Sequence, residues 1–390
     1  MALDLGRFDA MPVDRRVVAA GVAGALLAGL LICILGYGAG QLGPTSVGAF
    51  TTSYDQRVLD DPLELLLVQS DGQAFASLAR DPLLARPEVF RTDAEAAYRA
   101  QRPLLSYAAW ALSLGRTGWV PPALAFLATA GTGLAVAAVA QLLIDRRAPA
   151  KWSLLVLLFP GTYMALSYCG PEPLGLGLVL WGLVAWSRRR PDIALVLFAI
   201  AGLCRETLLL VPAALFLGEL LQRRIRHAAL LAATFAPYAA WIAFVRVRVG
   251  AWPTDASHGR LGLPFIGVVD GLSQAKFESL PYAVLCLAFG GAALVISRND
   301  PLRIVVAVHL AFSTVIGHVV WMTWEGFGRV LLPLNALALV MIVGKVLGRR
   351  PNAARSTPPP TAQTRRLASS PRQGLAGVVG PGLPSGGASK

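Results

Sequence analysis

The chain has 390 residues, 55% of them apolar and 15% charged, with a formal net charge of +13 and a mean hydropathy of +0.58. A soluble domain carries roughly 25% charged residues, so this composition argues against a single water-soluble enzyme and excludes collagen-like, disulfide-scaffold and wholly disordered chains. The positive charge identifies no partner until its distribution along the chain is known.

The first apolar block runs from about Val17 to Gly38, behind Arg7, Arg15 and Arg16. It is too long for a signal-peptide core and is followed by a poor cleavage site, which predicts an uncleaved first span. Further spans are predicted at about 119–143, 152–168, 173–187, 192–204, 207–221, 228–245, 281–297, 302–321 and 330–347. The expected fold is therefore an all-α, polytopic transmembrane helical bundle of about ten spans over residues 1–350. Leu104 to Gly115 is apolar but too short to cross, and reads as an interfacial or re-entrant helix with Trp110 near the headgroups. Residues 192–221 read as two short spans with Arg205 and Glu206 at their outer turn.

With the N-terminus inside, every basic cluster falls inside. The count is 22 Lys/Arg against 7 Asp/Glu inside, and 13 against 15 outside. This is the positive-inside pattern of a multi-pass protein of the cell membrane with both termini cytoplasmic. It assigns the basic charge to topology, with no nucleic acid implied. The stretch 351–390 holds 7 Pro, 6 Gly and 5 Ser without one acid, a composition that predicts a disordered cytoplasmic tail. Four isolated cysteines and four histidines show no metal-ligand spacing.

Between the first span and Pro103 lies a large extracytoplasmic loop, residues 39–103. Asp61-Pro62-Leu63-Glu64, Ser70-Asp71-Gly72-Gln73 and Thr92-Asp93-Ala94-Glu95 each carry a helix-start signal, so the loop is predicted to fold into short helices. Phe75, Leu78 and Ala79 share one face, which would let the second of these helices rest on the membrane. Asp71 then stands at that helix's positive end, either as a cap or as a general base for an acceptor hydroxyl. Asp81-Pro82 reads as a turn or cap. Glu172, Arg205 with Glu206, and Glu325 with Arg329 lie at the outer ends of later spans. Ionisable groups at such depth face a cavity or a partner, and their convergence beside a folded loop predicts a site for a polar, anionic substrate.

The ordered segments Ser70-Asp71-Gly72-Gln73-Ala74-Phe75, Leu78-Ala79-Arg80-Asp81-Pro82 and Ala97-Tyr98-Arg99-Ala100-Gln101-Arg102-Pro103-Leu104-Leu105 resemble the loop of bacterial cell-surface glycopolymer formation proteins, which belong with the C-type glycosyltransferases (GT-C). Glu172-Pro173-Leu174 and Cys204-Arg205-Glu206-Thr207 resemble further pieces of that pattern, which extends over about residues 55–215. Ser70 stands where tyrosine is usual, and Ala74 and Ala76 fall where aromatic residues are frequent. The resemblance implies a GT-C-like membrane glycosyltransferase of inverting type, moving a hexosyl or pentosyl unit from a polyprenyl-phosphate sugar donor to a glycan or lipid acceptor outside. Asp71 matches the family's catalytic acid. Arg102, Arg205 and Arg329 would hold the leaving phosphate, with Glu172, Glu206 and Asp81 completing the substrate-binding set. The lipid-linked sugar is the co-substrate; no other cofactor is implied, and a need for divalent metal stays open. A transporter or flippase of lipid-linked glycan, or a non-catalytic membrane subunit of a glycan-assembly complex, are the alternatives.

Overall fold

The computed structural model describes residues 14–42, 67, 71–256, 259–274 and 279–348. The Asp61 helix start and the tail 351–390 lie outside the described residues. Among the described residues every regular element is helical, and the one extended pairing is an isolated bridge between Leu261 and Ile316.

Among the described residues, four helical segments are long and apolar enough to cross a membrane: Arg15–Gly38, Thr117–Asp145, Ile225–Val249 and Ser279–Ile296. Trp324–Val330 and Leu332–Leu347, bent by 58°, make a fifth if they cross as one broken span. The other expected spans coincide with shorter elements. The helix Glu172–Ser187 has 16 residues, about 24 Å at 1.5 Å per residue, against a hydrocarbon core of about 30 Å. The chain itself supplies the breaks. Residues Ala150–Leu158 wind as a 3-10 helix and the α-helix resumes only at Pro160, whose missing N–H suits a first turn. Arg205 is extended, ending Pro191–Cys204 and starting the turn Glu206–Leu209 that leads into Leu210–Leu221. Ile316 and Gly317 are likewise extended and split the expected 302–321 span into Arg303–Val315 and His318–Trp321.

Small residues let these helices meet. The first helix, Arg15–Leu42, packs along Val120–Asp145, and a Cβ on Gly24 would sit 2.9 Å from the Val136 side chain. Val120–Asp145 packs in turn on Glu172–Ser187, where a Cβ on Gly131 would sit 2.6 Å from the Leu174 Cα. For helices long and apolar enough to cross a membrane, such close backbone approach by small residues is a main source of association. The helices Pro160–Ser167 and Trp324–Val330 approach most closely: a Cβ on Gly161 would collide with the carbonyl of Gly328. That contact brings the residue after Gly328 beside the end of Pro160–Ser167.

The loop helix Gly72–Arg80 differs from expectation. It does not lie on its apolar face at the surface; Gly72 through Ala79 are all buried. Phe75, Ala76 and Ala79 join Leu105, Leu124 and Tyr168 in one core, while Ala74 and Leu78 join Phe90, Ala97 and Val249 in another. Glycine and alanine on its remaining faces remove the bulk that would have kept it at the surface, and Ser106 Oγ donates to the Phe75 carbonyl at 3.1 Å. The next loop helix, Asp93–Ala100, starts as its sequence predicts, with the Thr92 hydroxyl accepting from Glu95 N at 3.1 Å. Trp241 Nε1 donates to the Ala100 carbonyl at 2.7 Å and ties that helix to Ala236–Val249.

At the C-terminal end of Glu172–Ser187 a second set of charges gathers. Arg146 forks onto Asp300 at 3.1 and 3.0 Å, and Arg188 reaches Asp145 at 3.2 Å, beside a cavity of about 720 Å³.

Candidate active site

A cavity of about 580 Å³ opens where the loop helices meet the N-terminal end of the later helices, within the size range of small-ligand sites. Asp71, Arg102, Arg205, Glu206 and Arg329 line it, and Glu172 lies in contact with two of them. Residues scattered over 258 positions of sequence thus share one wall. Leu210, Ile242, Phe312, Ile316 and Val319 form an apolar wall of the same cavity.

Asp71 precedes the first turn of Gly72–Arg80, yet its side chain makes no capping bond. Its two oxygens turn to guanidiniums: Arg99 donates to Oδ1 at 2.6 Å and Arg329 to Oδ2 at 2.9 Å. Burial opposes ionisation of this carboxyl, but the charges of Arg329 and Arg99 outweigh it and hold the group well below the usual carboxylate range. The cap expected from the sequence gives way because a charge-assisted pair is roughly twice as strong as a neutral hydrogen bond.

Arg329 carries the network onward. Its Nη1 donates to the Tyr168 hydroxyl at 2.6 Å, and that hydroxyl donates to the Glu172 carboxylate, 2.9 Å from each oxygen. Glu172 occupies the first turn of Glu172–Ser187, where the helix N-terminus favours negative charge. It is 3% exposed and pairs with Arg205, itself 6% exposed. Extended backbone at Arg205 aims its side chain back at Glu172 while Glu206, one residue on, turns toward the loop. Arg102 grips Glu206 through Nε at 2.8 Å and Nη2 at 2.6 Å. Burial opposes the Glu206 charge, but the Arg102 guanidinium prevails and holds its carboxyl at about 2.

The loop helix supplies the rest. Tyr98 and Arg102, four apart, face the same side, and Arg102 Nη2 donates to the Tyr98 hydroxyl at 3.3 Å. From the opposite side Arg260 stacks on the Tyr98 ring, its Cζ 3.7 Å from the centroid. The buried Arg205 Nε and Thr207 Oγ1 face no hydrogen-bond partner among the described residues, which leaves polar atoms at the cavity wall for a ligand.

Of the residues singled out from sequence, Asp81 stands apart. Its carboxylate accepts from Ala85 N at 3.0 Å and Arg86 N at 2.6 Å, closing the turn after Gly72–Arg80 away from the cavity wall. Short-range backbone donors claim it, as an Asp before proline in a turn invites. Arg102, Arg205 and Arg329, expected to hold a phosphate, are each engaged by a carboxylate. Sequence reasoning assigned no role to Tyr98, Arg99, Tyr168 or Arg260. Arg99 and Tyr98 stand close to Arg102 in sequence, and Tyr168 close to Glu172, but each pair straddles a helix end, so no helical periodicity marked them. Arg260 lies in an irregular segment with no periodicity to mark it. Among the described residues no group of three or more His, Cys, Asp or Glu converges as a metal-ligand set.

The site thus offers two carboxylates, Asp71 and Glu206, at a cavity lined by an excess of guanidiniums and by apolar side chains. No known family model, curated protein or solved structure matches the chain.

Proposed function

We propose that the protein is a membrane glycosyltransferase of GT-C type, which moves a sugar from a polyprenyl-phosphate carrier to a glycan or lipid acceptor on the extracytoplasmic side. The observation that carries this reading is the juxtaposition of Asp71 with Arg99 and Arg329 at the wall of a cavity that Leu210, Ile242, Phe312, Ile316 and Val319 also line. A phosphate ester with a polyprenyl tail has the same two halves: an anion for guanidiniums and a hydrocarbon for the apolar wall.

In this reading Asp71 accepts the proton of the acceptor hydroxyl while the acceptor oxygen bonds to the anomeric carbon from the face opposite the leaving group. The bond from that carbon to the phosphate oxygen breaks, and the electron pair stays on the phosphate, where guanidiniums stabilise the developing charge. One attack from the opposite face inverts the anomeric configuration. Tyr168 and Glu172 position Arg329, and Glu206 positions Arg102. The ten-span topology with both termini cytoplasmic belongs to the same reading: the short helices would cross as broken or paired segments, as Pro191–Cys204 and Leu210–Leu221 would around the extended Arg205.

The test is transfer by the purified protein from radiolabelled polyprenyl-phosphate sugars to lipid and glycan acceptors. The reading expects label in the acceptor fraction and release of polyprenyl phosphate. Movement of intact lipid-linked glycan across vesicles without cleavage of the sugar–phosphate bond would replace it with a flippase.

A further inference from the structure

The Asp71 carboxylate is badly placed to act as a base while both its oxygens accept charge-assisted bonds from Arg99 and Arg329 at 2.6 and 2.9 Å. A general base works best with a pKa near the operating pH, and two guanidiniums drive Asp71 the other way. Something must draw those guanidiniums off. The cavity also holds a cation with nothing to neutralise it: Arg260 lines the same wall, rests on the Tyr98 ring, and makes no ion pair among the described residues. It is close enough to feel both the attraction of Asp71 and the repulsion of Arg329. Around the cavity five guanidiniums, of Arg99, Arg102, Arg205, Arg260 and Arg329, face four carboxylates, of Asp71, Glu172, Glu206 and Glu95, the last of which reaches Arg99 at 3.9 Å. Two of those carboxylates are bound to arginines of their own, since Arg102 forks onto Glu206 and Arg205 pairs with Glu172.

Resting on the glycosyltransferase reading, we propose that Arg99, Arg260 and Arg329 form the subsite for the substrate's phosphate, and that this phosphate and the Asp71 carboxylate are alternative occupants of it. The donor's phosphodiester presents two free oxygens and one charge in tetrahedral geometry, and gains a third free oxygen and up to a second charge as the sugar leaves, so it engages Arg260 together with Arg99 and Arg329 where Asp71 engages two guanidiniums. Its arrival takes Arg99 and Arg329 from Asp71. The released carboxylate then regains ordinary basicity toward the acceptor hydroxyl, so the base becomes competent only when the donor is bound. Arg102 and Arg205 stay with Glu206 and Glu172 and hold the wall.

The test measures equilibrium binding of farnesyl phosphate, farnesol and inorganic phosphate to the purified full-length protein. Removing the competing carboxylate should tighten binding, so Asp71→Asn is expected to bind farnesyl phosphate about tenfold more tightly than the wild type, and Arg260→Gln about tenfold more weakly. Farnesol, without the anion, should bind all three proteins alike. The same ordering with inorganic phosphate identifies the phosphate group alone as the recognised element; the ordering with farnesyl phosphate only adds the apolar wall to the recognition, and either supports the subsite. Equal or weaker binding by Asp71→Asn overturns the competition, and unchanged binding by Arg260→Gln removes Arg260 from the subsite. A measurement on the wild type covers a variant that fails to fold: infrared difference spectra on saturation with farnesyl phosphate should show a carboxylate stretch perturbed by loss of its guanidiniums, and its absence overturns the proposal. The two readings fail separately. Tighter binding by Asp71→Asn without sugar transfer from any polyprenyl-phosphate sugar leaves the subsite and removes the glycosyltransferase; transfer with unaltered binding does the reverse.

Discussion

Asp71 has two tasks that a single substitution separates. Asparagine keeps the shape but cannot accept a proton, so Asp71→Asn should lower sugar transfer by about 10²- to 10⁴-fold. The change also removes the shortest ion pair of Arg99 and of Arg329, leaving them the longer contacts to Glu95 and Glu172, a cost of about 2 kcal/mol or more, larger than loss of a helix cap. Transfer rate measured together with the melting temperature of the detergent-purified protein checks both. A stable variant with more than about a tenth of the normal rate would place the base elsewhere. Glu206 gives a separate signature in pH. Its folded-state value of about 2 lies below the ordinary 4.5, so its pairing with Arg102 stabilises the fold fully above about pH 4.5 and is lost as pH falls from there through about 2. The melting temperature of the wild type should therefore drop over that interval, and Glu206→Gln should start lower and drop less. At this scale a charge that interrupts an apolar run marked residues which the fold brings together, as at Glu172, Arg205 and Arg329. Asp81 stands apart from them, because a carboxylate in a turn and a carboxylate at a cavity are the same letters, and only the backbone donors of Ala85 and Arg86 tell them apart.

Among elements, the contact that aims Arg329 is the approach of Pro160–Ser167 to Trp324–Val330. With the Gly328 carbonyl pressed against Gly161, no side chain fits. Gly161→Val should force the helices apart, cost about 1–3 kcal/mol, and move Arg329 from Asp71 and Tyr168. Gly291 is a matched control, because a Cβ there meets nothing within 4 Å and Gly291→Ala should be neutral or stabilising by up to about 1 kcal/mol. Transfer rates and melting temperatures of the two variants should diverge; similar values would detach the contact from the site. The capping of Asp93–Ala100 by Thr92 was legible because it depends on residues three apart. The burial of Gly72–Arg80 was not, since its amphipathic face described one contact surface and its small residues allowed several.

For the whole molecule, the all-helical, apolar character was legible in the sequence and helix length was not. Apolar runs mark where the chain is shielded from water, yet they do not register a 3-10 stretch at Ala150–Leu158 or an extended residue at Ile316. Topology can be tested without reference to length. Reporter fusions after Ser187, Gln222 and Gly348 should report cytoplasm, and a cysteine replacing the exposed Asp93 should react with an impermeant reagent from outside. Protection of position 93 would put the cavity on the wrong face for a donor presented outside. The two charged clusters sit at either end of Glu172–Ser187, about 24 Å apart, so one face of the protein carries the Asp71 cavity and the other the Arg146–Asp300 pair.

The two partners of Asp71 are made at very different times. Arg99 follows it by 28 residues and Arg329 by 258. At a synthesis rate of roughly 5–20 residues per second, Arg99 emerges within about 6 s of Asp71, and Arg329 only after roughly 13 to 52 s. Through most of biosynthesis, then, Arg99 alone among these two neutralises the loop carboxylate while the later helices are still being inserted. Arg99→Gln should lower the yield of inserted protein more than Arg329→Gln, whereas both should impair transfer by whatever protein survives; quantitative immunoblotting of membranes against transfer per molecule would separate the early partner from the late one.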